Sequence, residues 1–261
     1  MEKLIKIDND ALTLDVSIKT NKPCKFMVTA ADVKPNSFYV MRYIDVQTSR
    51  TIFLSFPVSP KQIKLKVICV SKAEGVNFVV GVKEKPLKKY NIHIDENTKQ
   101  FLDLAVPFCQ VAGFEKPYPN GRVFQSKNKK FNIKYFPIIR DVKTGQMFST
   151  PARIGHNSGI IEVAAAKFVG YTIPMRLMIL LHEFSHKWKN PLMNLPISDE
   201  VGADIAALYV YLGLGFSKVD AIKVYASVFL KAQNDSNLDR MRKIMNYIQK
   251  FEAGEFAKIE K

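Results

Sequence analysis

Hydrophobic and polar residues alternate along the first third of the chain, in short segments separated by turn-forming residues such as Pro23, Pro35 and Pro57. The turns recur at intervals of about ten residues, the spacing expected of short strands in an all-β domain. Strands are predicted at residues 12–18, 25–30, 37–44, 51–56, 62–70 and 77–82. We therefore predict a β-sandwich-like domain at the N-terminus.

A polar segment containing a proline, at residues 83–89, interrupts this pattern and has the composition of a linker between domains. We place the domain boundary here, with an N-terminal domain at residues 1–88 and a C-terminal domain at residues 89–261. The strand segments of the N-terminal domain carry no catalytic pattern. We expect this domain to bind or dock assembly partners, or only to pack against its neighbour.

The C-terminal domain mixes helical and strand patterns. A helix is predicted at residues 97–111, where Pro107 is expected to bend or shorten it. A helix with a strongly apolar surface begins after Thr172, which can cap its first turn, and carries Pro174 where a missing N–H costs nothing. Strands are predicted at residues 122–125, 131–139 and 160–165, and they indicate a small sheet beside the helices. The predicted fold class is α+β.

Two more helices are predicted near the C-terminus. Ser217 and Asp220 resemble a capping box for a helix at residues 218–231. Apolar residues at helical spacing follow a start signal at residues 234–236, and the pattern places the basic residues of this helix largely on its other face. Those basic residues are Arg240, Arg242, Lys243 and Lys250.

The strongest chemical signal is the sequence His-Glu-Phe-Ser-His at residues 182–186, near the end of the apolar helix. Residues four apart lie one above the other on a helix, so His182 and His186 direct two imidazoles toward one point, with Glu183 rotated to the side. Two imidazoles and a third ligand hold zinc with one position open to water, and a nearby carboxylate takes the proton of that water. The alternative is a buried helix whose histidines only satisfy hydrogen bonds in the core.

A second pair of carboxylates follows at the start of the next helix. Glu200 and Asp204 are four residues apart and share a face that continues as Ala207, Leu208 and Tyr211. Carboxylates beside apolar neighbours are costly unless a metal or a hydrogen-bonding partner compensates them. The alternative is an acidic, solvated first turn, which the helix dipole favours.

Together these motifs resemble the gluzincin branch of the HEXXH zincin metallopeptidases, the thermolysin-type group, over roughly residues 131–215. The resemblance implies a compact zincin-like domain with a small sheet, an active-site helix and C-terminal helices. It implies the zinc ligands His182, His186 and Glu200, the general base Glu183, and Asp204 as the residue that orients a ligating histidine. From reach alone the third ligand stays open between Glu200 and Asp204, with Asp199 a distant third.

The chain departs from the family pattern in two places. Lys187 follows the second histidine, where these motifs usually carry an uncharged residue, and the connection to Glu200 is short, with breaks at Pro191 and Pro196. The metzincin pattern does not fit, because it would need glycine at Lys189 and histidine at Leu192.

Further candidates lie around the motif. In zincins a strand beside the active-site helix pairs with the substrate backbone, and residues 159–165 are placed for this role if they form an edge strand rather than an interior one. His156 could stabilise a developing oxyanion, although a histidine among glycine, asparagine and serine is more typical of a turn. Tyr171, Tyr209 and Tyr211 are further candidates for stabilising the oxyanion, and the sequence gives no basis for ranking them.

The composition bears on the binding partners and the cellular compartment of the protein. The chain has 39 basic and 24 acidic residues, a net charge of +15, but its basic residues are scattered and match no nucleic-acid-binding motif, so nucleic acid is expected to bind only non-specifically. Cys24, Cys69 and Cys109 are widely spaced and are expected to be buried thiols in a reducing compartment. The absence of a signal-peptide pattern and of a long apolar run predicts a cytoplasmic protein without a membrane span.

The sequence therefore predicts a zinc-dependent metallopeptidase that acts on a peptide or protein substrate. Two other classes stay open. The chain is similar in overall style to some tailed-phage virion proteins, which implies a structural or assembly role and a place in the virion if the chain is phage-encoded. Alternatively, it is a basic nucleic-acid-binding protein with structural zinc, although Glu183 argues against this because a structural site needs no general base.

Overall fold

A computed structural model describes residues 1–7, 11–58, 60–71, 74–88, 90–141, 143–189, 200–230, 234–256 and 258–259. The chain divides into two compact units, Met1–Lys88 and Lys89–Lys261. The predicted α+β class is confirmed, with an N-terminal unit of sheets and helices in the C-terminal unit. Among the described helices, none is both long and apolar enough to cross a membrane.

Two antiparallel sheets make up the N-terminal unit. One sheet has the strand order β1-β6-β3-β4 and the other β5-β2-β7. The strands are β1 (Glu2–Lys6), β2 (Leu12–Thr20), β3 (Cys24–Ala31), β4 (Phe38–Val46), β5 (Ser49–Phe56), β6 (Gln62–Cys69) and β7 (Phe78–Pro86). The first strand was not predicted, because within it only Ile5 is buried and no alternation is visible.

Alternation places the core of this unit between its two sheets. Along β2, Leu12, Leu14, Val16 and Ile18 are buried, and the residues between them point outward. Ring contacts join the sheets, with Phe26 on β3 and Phe78 on β7 separated by 5.0 Å between centroids. Each such side chain contributes about 1.5–3 kcal/mol when fully buried.

A disulfide joins Cys24 on β3 to Cys69 on β6, so the expectation of three free thiols is wrong for these two residues. The strands are neighbours in one sheet, and the Cα atoms of the two cysteines are 6.6 Å apart, within the range that a disulfide spans. Only long-range strand pairing brings residues 45 positions apart together, which spacing in the sequence does not reveal. The argument from cysteine spacing to a reducing compartment therefore loses its basis. Cys109 is free and buried.

Reduction of this disulfide is expected to destabilise the N-terminal unit by about 3–4 kcal/mol, because the bond closes a 45-residue loop that the unfolded chain otherwise leaves open. Thermal unfolding of the full chain with and without a reductant measures the shift. The double variant Cys24→Ala/Cys69→Ala serves as the control and should not respond to the reductant. Thiol titration of the denatured, unreduced chain should detect one cysteine; three reactive thiols would contradict the disulfide.

The C-terminal unit surrounds a mixed sheet with helices. Its sheet has the order β11-β12-β10-β9, in which β10 and β12 are parallel, and a second short sheet pairs β8 with β13. The strands are β8 (Tyr90–Asn91), β9 (Arg122–Gln125), β10 (Asn132–Phe136), β11 (Ala152–Ile154), β12 (Ile161–Ala164) and β13 (Lys258–Ile259). The helices are α1 (Glu96–Val111), α2 (Ala165–Phe168), α3 (Ile173–Ser185), α4 (Glu200–Gly213), α5 (Lys218–Val224) and α6 (Asp235–Glu252).

One helix agrees with its predicted range, and another differs from it. Pro107 lies inside α1 without ending it, and the helix continues to Val111. At the start of this helix, the Asp95 side chain caps the first turn by accepting a hydrogen bond from the Thr98 amide. The helix predicted at residues 218–231 is α-helical only to Val224 and continues as a π-helix, Tyr225–Phe229; Lys231 lies outside the described residues. A π-helix has one residue more in each hydrogen-bonded turn, and hydrophobic spacing alone does not distinguish it.

Arg176 fixes the position of α3 from inside the core. Its side chain is fully buried, and its guanidinium donates to the carbonyl oxygens of Cys109, Phe168 and Val169 at 3.0, 3.2 and 2.8 Å. These carbonyls belong to the ends of α1 and α2, where carbonyl groups lack partners within the helix and carry partial negative charge. One buried cation thus joins α1 and α2 to the helix that bears the histidine motif.

Candidate metal centre

The histidine motif lies at the end of α3, which is buried along its whole length. Pro174 occupies the first turn as predicted, whereas Thr172 has the extended backbone of an N-cap but its hydroxyl makes no capping hydrogen bond. His186 is the residue after the helix, and its φ of −62° and ψ of −28° keep it in helical conformation. Its imidazole therefore remains above that of His182.

The structure brings His182, His186 and Glu200 together. The Nε2 atoms of the two histidines are 3.1 Å apart. The two carboxylate oxygens of Glu200, at the first residue of α4, lie 3.5 Å from Nε2 of His182 and 3.6 Å from Nε2 of His186. Three side chains from two helices thus direct one ligand atom each to a common point, and they could hold a metal ion.

The protonation of this cluster suits a cation. Burial, reinforced by the neighbouring His182, lowers the pKa of His186 to about 4, which leaves its imidazole neutral at neutral pH. A neutral imidazole and a carboxylate are the forms in which these side chains bind metals. Two nitrogen lone pairs 3.1 Å apart repel each other unless a proton or a cation lies between them.

Asp204 lies behind His182, one turn after Glu200 on α4. Its Oδ1 atom is 2.8 Å from Nδ1 of His182, and its side chain is fully buried, whereas the Glu200 side chain is 56% exposed. Asp204 therefore faces Nδ1 of His182, while Nε2 of the same ring faces His186 and Glu200. The two carboxylates occupy different positions: Glu200 faces the cluster and Asp204 lies behind the His182 ring.

Arg240 on α6 holds both carboxylates. Its guanidinium forms a two-pronged ion pair with Asp204 and lies 3.0 Å from Oε2 of Glu200. Burial works against the charge of Arg240, but the hydrogen bond and charge of Asp204 outweigh this effect, so the pKa of Arg240 is raised. The prediction that Arg240 lies on the outer face of its helix is wrong. Its position four residues before Ile244 and eight before Ile248 was the available signal, because this spacing places it on the buried stripe.

The π-helix contributes two aromatic residues that sequence reasoning missed. The Tyr225 hydroxyl donates to the backbone carbonyl of Asp204 at 3.1 Å, and the Phe229 ring lies 4.1 Å from the His182 ring between centroids. Single turns of π-helix are frequent at functional sites. Here the π-helix secures the start of α4 and provides an apolar wall beside the first histidine.

Glu183 is buried beside the cluster, with 8% of its surface exposed. Burial raises the pKa of Glu183 to about 7; the nearby His182 acts in the opposite direction, and the charge of Glu200 adds to the rise. The backbone amide of Ile154, on β11, donates a hydrogen bond to the Glu183 carboxylate. The motif glutamate is therefore positioned against the sheet rather than against solvent.

β11 is the strand at the edge of the sheet next to Glu183. The expectation that residues 159–165 provide this edge is wrong, because β12 pairs with β11 on one side and β10 on the other. Residues 159–165 instead contribute an interior strand, which was the alternative expectation for this segment. A strand of three residues, Ala152–Ile154, is too short to produce a recognisable alternation.

Lys187, which departs from the expected motif pattern, fixes the turn between β11 and β12. Its ammonium donates to the backbone carbonyl of Asn157 at 2.9 Å. Gly159 in the same turn has a φ of +67°, and a Cβ there would lie 2.4 Å from the Trp188 ring. Only glycine allows both the backbone conformation and this close approach. The residues after His186 thus connect the end of α3 to the edge strand.

The remaining candidates occupy other environments. His156 is exposed in the turn after β11. The Tyr209 hydroxyl accepts from the His93 amide, and the Tyr211 ring stacks on Phe216. Burial raises the pKa of Tyr171.

The connection between the two helices of the cluster, at residues 190–199, lies outside the described residues, as do Asp199 and the predicted breaks at Pro191 and Pro196. The five residues central to the motif prediction are all described: His182, Glu183 and His186 on or next to α3, and Glu200 and Asp204 on α4. Comparison with protein-family models, with curated proteins and with solved structures finds no match to this chain.

Proposed function

We propose that this protein is a zinc-dependent peptidase, with His182, His186 and Glu200 as zinc ligands and Glu183 as the general base. The observation that carries the proposal is that three ligand atoms from two helices converge beside the buried carboxylate of Glu183. Glu183 is not one of the ligands, and it is Glu200, not Glu183, that pairs with Arg240. A three-ligand site with an adjacent base is the arrangement of catalytic zinc.

The spacing of the ligand atoms supports zinc in particular. Zinc binds imidazole nitrogen at about 2.0–2.1 Å and carboxylate oxygen at about 2.0–2.2 Å in tetrahedral geometry. Two ligand atoms at tetrahedral angles are therefore about 3.3–3.5 Å apart. The two histidine Nε2 atoms are 3.1 Å apart, and each lies 3.5–3.6 Å from a different oxygen of Glu200, Oε2 for His182 and Oε1 for His186. Calcium and magnesium prefer oxygen ligands, so two imidazoles argue against them.

Each residue has a distinct role in the proposed reaction. Zinc held at this site supplies Lewis acidity, which acidifies water and polarises a carbonyl group. Glu183 accepts the proton of the attacking water and later delivers it to the leaving amine, because its carboxylate lies beside the cluster and is not a ligand. Asp204 holds the ring of His182 in place, and Arg240 keeps Asp204 and Glu200 oriented.

The edge of β11 supports a peptide as the substrate. Within the β11–β12 pair, Gly155 donates to Ile160 and Ala164 donates to Pro151, so the backbone groups of Ala152 and Ile154 point to the free side of β11. On this side the Ile154 amide already donates to Glu183, and the Ala152 carbonyl accepts from the Thr150 hydroxyl at 2.6 Å. An extended peptide added to this edge would run alongside the proposed base.

Two alternatives have weaker support. A purely structural zinc site is closed by four protein ligands and has no use for a base, whereas the metal cluster of the described residues has three ligands and adjoins Glu183. A structural role in a virion and non-specific binding of nucleic acid both rest on overall style and on net charge. Neither alternative explains why a buried carboxylate stands next to the cluster.

Metal analysis and cleavage assays test the proposal together. We expect about one zinc per chain after reconstitution, a thermal midpoint of the C-terminal unit that falls on chelation, and cleavage of a diverse peptide library that zinc restores. A ligand present at about 100 times its Kd stabilises the folded state by about 2.7 kcal/mol. The variant His182→Ala should lose zinc, and His156→Ala, an exposed histidine, should keep it. A reconstituted chain without zinc would refute the metal site, and a zinc-loaded chain that cleaves no peptide would refute the activity.

A further inference from the structure

A cavity with mostly apolar walls and three charged side chains lies on the face of the sheet that points away from α3. It has a volume of about 390 Å³, and its walls include Arg140, Arg153, Glu162, Phe136 and Pro119. Arg153 is the middle residue of β11, between Ala152 and Ile154, which face the opposite side of the sheet and pack toward the helices. The same edge strand therefore borders the metal centre on one face and this cavity on the other.

From this geometry we propose that the cavity binds an acidic side chain of the substrate, so that the peptidase prefers substrates with Asp or Glu at one position near the cleaved bond. This inference rests on the proposed function and adds a substrate class to it. Successive side chains of an extended peptide point to opposite faces of a sheet. The substrate residue opposite Arg153 therefore directs its side chain toward the cavity, while its neighbours face the metal centre.

The charges around the cavity favour an anion. Arg153 donates from Nε to Glu162 at 2.7 Å, an arrangement that leaves the terminal nitrogens of the guanidinium for another acceptor. Glu162 also pairs in register with Lys134 on β10, so a basic residue flanks this carboxylate on either side. Arg140 adds a second guanidinium to the wall and makes a hydrogen bond of 3.1 Å to the carbonyl of Gly145. Two guanidinium groups and one carboxylate thus line the cavity, and Arg153 also interacts electrostatically with Asp141.

The position of Arg153 is well defined. Its guanidinium lies 4.4 Å from the centroid of the Phe148 ring, and its side chain is 33% exposed. A stacked guanidinium that is partly shielded from water loses less entropy on binding a carboxylate than a free surface lysine. Side chains directly opposite each other on paired strands have Cβ atoms about 4.5–5.5 Å apart, a distance at which Arg and a carboxylate can form two hydrogen bonds.

Cleavage profiling of a charge-balanced peptide library by the zinc-loaded full chain tests this proposal. We expect Asp and Glu to be enriched about 2- to 5-fold at one position, within about two residues of the cleaved bond, a size set by opposite-charge pairs across strands. Arg153→Gln should abolish this enrichment. Arg242→Gln removes the same charge from an exposed position of α6 and should leave the enrichment unchanged.

Glu162→Gln separates recognition from a merely structural ion pair. If Arg153 recognises an acidic side chain, this variant removes a competing carboxylate, and acidic substrates should be preferred more strongly. If the Arg153–Glu162 pair only stabilises the sheet, the two variants should act in the same direction and alter cleavage of acidic and neutral peptides equally. That outcome, or an unchanged profile in Arg153→Gln, would overturn the inference while leaving the peptidase in place.

A binding measurement keeps the inference testable if no peptide is cleaved. Calorimetry with Glu183→Gln and two series of decapeptides, which differ by Glu or Gln at each position in turn, measures recognition without chemistry. We expect one position at which the Glu peptide binds about 2- to 5-fold more tightly, an advantage that Arg153→Gln removes. Equal affinities across both series would overturn the inference, whereas an acidic preference without cleavage would refute only the proposed activity.

Discussion

Glu183→Gln is expected to lower the rate of peptide hydrolysis by about 10²- to 10⁴-fold while zinc remains bound, since general-base catalysis contributes about this much. Glutamine keeps the shape of the side chain and an oxygen that can accept from the Ile154 amide, but it cannot take a proton from water. Because the ligand set does not include Glu183, the affinity for zinc should change little.

Steady-state cleavage of one library-derived peptide and zinc titration of both proteins measure the two quantities separately. Glu252→Gln is a suitable control, because this exposed glutamate at the end of α6 pairs only with Lys218 among its described ion pairs. Its loss should cost less than about 1 kcal/mol of stability and leave the rate unchanged. A Glu183→Gln variant that cleaves as fast as the natural chain would show that another group acts as the base.

Glu200→Ala and Asp204→Ala are expected to weaken zinc binding to different extents. Glu200 contributes a ligand atom, so its loss should lower the affinity by more than the roughly 10- to 100-fold that accompanies loss of a residue that only orients a ligand. Asp204→Ala should fall within that 10- to 100-fold range, because Nδ1 of His182 loses the carboxylate that orients the ring.

In the zinc-free protein, Asp204→Ala should lower the stability more than Glu200→Ala does, the reverse of their order in zinc affinity. Glu200 is more than half exposed, and its removal should alter the thermal midpoint little. Asp204 is fully buried and paired with Arg240, so its removal should destabilise the C-terminal unit by about 3 kcal/mol, the lower end of the range for breaking a buried ion pair. Zinc titration and thermal unfolding of both variants measure the contrast. Loss of zinc binding in Asp204→Ala with binding intact in Glu200→Ala would reverse the two assignments.

Regular elements with a long buried face could be predicted from the sequence. The alternation of β2 and the helical spacing of α3 each depend on many residues that contact one core, so the pattern is visible locally. The same holds for the spacing of His182 and His186, which a single helical turn determines. The fold class and the two histidines of the candidate metal site follow from these local patterns, whereas the choice between Glu200 and Asp204 as the third ligand does not.

Features that depend on contacts between distant elements could not be predicted. The Cys24–Cys69 disulfide and the edge position of β11 both depend on how strands pair, and a one-dimensional pattern leaves the order of strands open. In the sequence, Arg176 is only a single basic residue within an apolar helix. Its burial is explained by the carbonyl groups at the ends of α1 and α2, to which it donates hydrogen bonds. In each case tertiary contacts determine the role of a residue whose local sequence is uninformative.

The contact of Arg240 with Asp204 and Glu200 has a consequence for the smallest segment that could carry this site. The motif residues lie on α3 and α4, yet Arg240 comes from α6 and forms ion pairs with both carboxylates of α4. A fragment or graft with α3 and α4 alone would leave Asp204 as a buried charge without its cation, a state that a protein avoids by unfolding locally or by taking up a proton. Transfer of the centre to another scaffold should therefore include the part of α6 that carries Arg240, or replace Asp204 as well.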